Sequence, residues 1–194
     1  MDPMNWALLI GLVIVALVLG GAIAWYVLRR RQTHLRDRFG PEYDHVVEAT
    51  GDRRQAESEL LRREERVKKF DIRNLSSEER SRYAEDWRKV QARFVDTPAL
   101  AVAEADELVT DLMRARGYPM VDFEQRAADV SVDHPQVIEH YRAAHSLAIR
   151  SERGTVDTED LRQAMVHYRA LFEDLLEAPV RDGRTRPTRE EVRQ

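Results

Sequence analysis

Twenty-three residues from Trp6 to Leu28 contain no charged side chain and no proline, and Arg29, Arg30 and Arg31 follow at once. At ~1.5 Å of rise per residue a helix of this length reaches ~34 Å, enough to cross a ~30 Å hydrocarbon core with some tilt. Trp6 stands at one end and Trp25-Tyr26 at the other, ~28 Å apart, where aromatic side chains mark membrane interfaces. The run therefore reads as a transmembrane helix.

A removable signal peptide is the competing reading, because Ala22-Ile23-Ala24 matches a small-x-small cleavage site. Against it, Met1–Asn5 carries no Lys or Arg, the run exceeds a usual signal core, and positive charge directly behind it opposes export. No basic residue precedes the run, whereas Arg29, Arg30, Arg31, Arg36 and Arg38 follow it within ten residues. That asymmetry places the N-terminus outside and the C-terminal part in the cytoplasm, at the inner membrane of a bacterium. The five arginines set topology and sit where anionic lipid headgroups would meet them. The complete lack of cysteine agrees with a reducing compartment. Ala16, Gly20 and Ala24 fall at i, i+4, i+8 and form a smooth stripe. Such a stripe suits a helix-packing homodimer and equally the ordinary abundance of small residues in membrane helices.

Beyond Arg29 the chain is long enough for one domain with a real core. Of 31 basic residues only Lys68, Lys69 and Lys89 are lysine, a skew that fits a GC-rich bacterial genome. Residues 29–70 carry net charge +3 and residues 98–178 carry −8. An acidic distal part of this kind is repelled by nucleic acid, which is excluded as a partner.

Helix signals recur along this part. Pro41 and Gly51 bracket a short helix with Tyr43, Val46 and Val47. Asp52 with Gln55 opens a second, reaching about Phe70, on which Arg63 interrupts a sparse apolar seam. Ser76 and Glu79 form a capping box before Tyr83, Trp87, Val90 and Phe94, which recur at core-facing spacing. Thr97-Pro98 starts a helix with Leu100, Ala103, Leu108, Val109 and Leu112 inward and Gly117 as its stop. Asp122 and Gln125 open a shorter one. Asp133-His134-Pro135 begins another, bearing Val137, Ile138, Tyr141, Ala144 and Ala148 and ended by Gly154. Asp157 caps the last, with Leu161, Met165, Tyr168, Phe172 and Leu175 inward and Pro179 near its end. No stretch alternates with period two long enough to make a strand, so the fold class is all-α. The polar, Arg-rich segment 179–194 reads as a disordered tail.

No catalytic, cofactor or metal residue is assigned. The chain lacks G-x-S-x-G, H-E-x-x-H and Gly-rich phosphate loops, and it has no Cys nucleophile. His140 and His145 are five apart, off the spacing that puts two ligands on one helix face. A cluster of Glu139, His140, His145 and His167 would need tertiary assembly, and histidines in helix packing are the ordinary reading. Two Pro-stiffened loops, one with Tyr118-Pro119 and one with Asp133-His134, fit either a partner groove or helix–helix corners.

Five stretches carry a resemblance: Arg38-Phe39-Gly40-Pro41-Glu42-Tyr43, Gln91–Asp96, Arg116-Gly117-Tyr118-Pro119, Ser131–Pro135 and Tyr168–Phe172. With them the chain resembles a family of bacterial single-pass, membrane-anchored helical proteins. The resemblance spans nearly the full chain. It implies an anchor and a helical domain but no activity, and members are variously labelled membrane or secreted.

The expected organisation is a short outer terminus (1–5), a membrane helix (6–28), a basic juxtamembrane segment (29–51), a helical cytoplasmic domain (52–178) and a tail (179–194). The expected function is presentation of a protein-interaction domain at the cytoplasmic face, with membrane lipids and a membrane or cytoplasmic protein as partners. The alternative is an exported or membrane-tethered helical enzyme or ligand binder.

Overall fold

The computed structural model describes residues 19–22, 25, 26, 30, 33–177 and 179. Every regular element among them is helical. The chain divides into two compact units, Met1–Arg38 and Phe39–Gln194.

In the first unit the described residues are helical, and Leu19, Trp25 and Tyr26 are exposed. Among the described residues no helix is long and apolar enough to cross a membrane. Most of the 6–28 run lies outside them, as do Ala16, Ala24, Arg29 and Arg31 and all of the 179–194 tail but Pro179. Gly20 is helical with open space about it, and Arg30 and Arg36 are exposed while Arg38 is half-buried.

The second unit holds seven helices among the described residues: α1 (Pro41–Thr50), α2 (Arg53–Val67), α3 (Ser77–Arg93), α4 (Pro98–Ala115), α5 (Phe123–Asp133), α6 (Ile138–Glu152) and α7 (Thr158–Glu177). It begins well before the boundary expected at Asp52. Tyr43 and Val46 of α1 are core residues, so α1 belongs to the domain rather than to a separate basic stem.

Local chemistry accounts for most helix ends. The Asp52 carboxylate accepts from Gln55 N, and Asp122 accepts from Gln125 N. Ser76 and Glu79 satisfy each other's backbone N–H groups in a full capping box. The Asp157 carboxylate accepts from Asp160 N at 2.8 Å at the start of α7. Gly51 and Gly154 end α1 and α6 with φ of 67° and 66°, a region that glycine enters without a Cβ penalty. Gly117 is constrained twice over. Its φ is 96°, and an added Cβ would sit 2.2 Å from the Asp71 carbonyl oxygen. The α2–α3 crossing segment is pressed there against the end of α4 and bonded to it by Arg73 N–H to Arg116 O, 2.9 Å.

Helices α6 and α7 form an antiparallel hairpin, α4 packs along both, and α3 closes over α4. The α1–α2 pair attaches through α2 to α5. The core is drawn from every helix, with α7 supplying Leu161, Met165, Tyr168, Phe172 and Leu175 as expected. Trp87 is buried, its ring stacked on Phe172 with centroids 4.8 Å apart.

Two sequence expectations change. On α4 the inward face is Ala101, Val102, Ala105, Val109, Leu112 and Met113, while Leu100 and Ala103 point outward. The helix is rotated because α4 packs on two sides, which widens its buried stripe. Asp133 and His134 end α5 rather than begin α6, which starts at Ile138.

Candidate functional site

Where α4, α5, α6 and α7 meet, polar side chains enter an otherwise apolar seam. Asp106 occupies the α4 stripe between Val102 and Val109, at i+4 and i−3 from them. The Tyr168 hydroxyl donates to Asp106 Oδ1 at 2.8 Å. His145 Nδ1 lies 3.9 Å from the same oxygen, beyond hydrogen-bond length, so its help to the carboxylate is electrostatic. The His145 ring is stacked on Phe123, with centroids 3.7 Å apart and planes within 9°. One turn back on α6, the fully buried Tyr141 accepts a 2.8 Å hydrogen bond from Arg126 Nε.

Burial and neighbouring groups set the charge of Asp106 and of the two tyrosines. Burial alone would raise the Asp106 pKa, but His145 and the Tyr168 hydroxyl outweigh it and hold the carboxyl below its usual range. Burial, then the neighbouring Asp106 charge, pushes the Tyr168 phenol up. Burial raises Tyr141 as well, against the pull of Arg126. Asp106 is thus an anion at neutral pH and both phenols stay protonated.

Asp106 also lines a groove of about 250 Å³ between α4 and α6. Ala99, Val102, Ala103 and Ala148 give it a smooth floor, and its other polar groups are Glu107, Ser151 and Glu152. A groove with short side chains below and carboxylates at the wall has room and charge for a cationic group. Perturbed ionisable residues beside a cleft make this groove the candidate functional site.

A second cluster binds helices together. Glu42, fully buried on α1, receives Arg142 as a fork, with Nη1 to Oε2 at 2.7 Å and Nη2 to Oε1 at 2.9 Å. Arg63 Nη1 donates to Oε1 at 2.7 Å. Burial would raise the Glu42 pKa, but the two guanidinium groups outweigh it and hold it low. A cleft of about 350 Å³ opens beside this cluster, lined also by His45, Gln55, Arg62 and Glu124. The arginines there are already engaged by Glu42, Glu59 and Glu139, which makes the cluster a clasp.

The two Pro-stiffened loops meet. The Tyr118 hydroxyl donates to Asp133 Oδ2 at 3.1 Å, Tyr118 and His134 approach edge to face, and His134 Nδ1 pairs with Asp174. Arg116 Nη1 donates to Leu175 O at 2.6 Å. Tyr118 and His134 are buried, so these residues tie corners of the fold to the end of α7.

Of the weighed histidine cluster, His140 and His167 come together, with 2.9 Å between their Nδ1 atoms. His145 sits apart in the Asp106 cluster, and Glu139 pairs with Arg142. Among the described residues no group of three or more His, Cys, Asp or Glu could hold a metal ion.

The sequence reading missed Asp106, Arg126 and Arg142. Two signals pointed to them: an acid inside the α4 apolar stripe, and Tyr141 with His145 at i, i+4 on α6. Comparison with family models, curated proteins and solved structures returns no match to this chain.

Proposed function

We propose that the chain is a single-pass inner-membrane protein whose helical domain, on the cytoplasmic side, binds a partner protein through a cationic group seated in the Asp106 groove. The observation that carries the reading is an ionised carboxylate, fixed by Tyr168, at the wall of a groove floored by alanine and valine. A fixed anion in a partly desolvated cleft discriminates for an amine or guanidinium more than it adds raw affinity. The uncharged run 6–28 with arginines behind it supports anchoring and orientation, and the anchor raises effective concentration toward a partner at the same membrane. The resemblance to membrane-anchored helical proteins agrees with this reading.

Two measurements test it. A photoreactive residue replacing Ser151, at the groove rim, should give one discrete crosslinked product in native membranes, and Asp106→Asn should abolish it. A reporter active only in the periplasm should stay silent when fused to Gln194. An active reporter refutes the orientation, and crosslinking indifferent to Asp106→Asn refutes the groove.

A further inference from the structure

His140 lies on α6 and His167 on α7, in the seam of the α6–α7 hairpin, and both are half-buried. Their Nδ1 atoms are 2.9 Å apart and their ring centres 5.1 Å, so the two nitrogens face each other. One imidazole donates a proton and the other accepts it. Two aromatic nitrogen donors that share one proton are also within reach of one cation. The hairpin supplies the preorganisation: α6 and α7 pack against each other along their length and α4 packs on both, so neither backbone must move to bring the rings together.

We infer that His140 and His167 form a two-imidazole site for a borderline divalent transition-metal ion, with copper(II) preferred and water completing the coordination. Metal–nitrogen bonds are ~2.0–2.1 Å, and two nitrogens ~2.9 Å apart then subtend about 90° at the ion, the cis angle of square-planar or octahedral coordination. Tetrahedral zinc needs its nitrogens about 3.3–3.4 Å apart, so it fits this spacing less well. Imidazole suits copper, nickel and zinc, and the general order of divalent affinities also puts copper above both. On binding, the shared proton passes through solvent to Nε2 of the ring that donated it, and each ring tilts so that its Nδ1 lone pair turns from its neighbour to the ion. No third imidazole or carboxylate joins the pair among the described residues, so the ion keeps open positions. The sequence offered both histidines within a larger cluster but not their pairing, because they are 27 residues apart on different helices.

The test uses the untagged full-length chain in detergent micelles, titrated with copper(II), nickel(II) or zinc(II) chloride. One equivalent of copper should bind, its electron paramagnetic resonance spectrum should show coupling to two nitrogens, and the melting temperature should rise. His140→Gln and His167→Gln should each weaken copper binding by more than ~100-fold, a larger loss than removal of an outer-sphere partner causes. His45→Gln, on the exposed face of α1, should leave it unchanged. Unchanged affinity in the His140→Gln, His167→Gln double variant, zinc binding tighter than copper, or one ion held between two chains would each overturn the assignment.

Discussion

Trp87 shows how much one side chain can decide. It comes from α3, is almost fully buried, and lies flat on Phe172 of α7. A stacked aromatic pair adds about 0.5–1.5 kcal/mol to what burial of the ring alone contributes. Replacing it leaves a cavity between α3 and α7, and because both also pack on α4 they cannot close it fully. Trp87→Ala should cost ~3–5 kcal/mol, read as a lowered denaturation midpoint at unchanged slope. Trp87 was legible in the sequence, since it repeats with Tyr83, Val90 and Phe94 at helical spacing. Asp106 was not. Its neighbours in sequence mark only a helix, and its role depends on Tyr168 and His145, which distant segments bring to it.

Among elements, α1 is the one whose place the sequence understated. Its two core apolar residues, Tyr43 and Val46, are few, and much of its attachment is ionic. Glu42 receives Arg63 from α2 and Arg142 from α6, so one carboxylate joins three helices. Arg63 looked like a flaw in the α2 seam when only local periodicity could be read, and it is the residue that reaches across. Glu42→Gln would leave two guanidinium groups facing a neutral amide with little water. The loss should lie toward the lower end of the ~3–5 kcal/mol typical of a broken buried pair, because both arginines keep some exposure. Glu159→Gln makes the contrast. Its carboxyl is held near 2 chiefly by Arg162 but stands in water, and the denaturation midpoint should hardly move. Helix starts and stops were readable because Asp, Ser, Pro and Gly act on their own neighbours. Which face of α4 turns inward was not, since that depends on packing against both α6 and α7.

At the scale of the whole molecule, stability should fall with acid in two separate stages. Burial and then the nearby His140 lower the His167 pKa below its usual 6.5. The unfolded chain therefore holds that proton more tightly. This contribution is full above pH ~6.5 and is lost as the pH falls through that value toward the folded one. Glu42 and Asp106 are shifted down as carboxylates. Their contribution is present above the unfolded value of ~4 and drains away only as the pH drops through the lower folded values. Melting temperature should thus decline in one step as the pH falls below ~6.5 and in another as it falls below ~4. His167→Gln should flatten the first and leave the second, and a first step that survives the substitution would assign it to another group.

The indole on Phe172 also gives the chain a built-in lamp. The other tryptophans, Trp6 and Trp25, lie within the uncharged run, so Trp87 alone emits from within the helical domain. With the run inserted in a bilayer as proposed, quenchers confined to lipid tails and quenchers dissolved in water would each dim a different set of rings. Light from one intact, unlabelled chain can then report on the proposed anchor and on the helical domain separately.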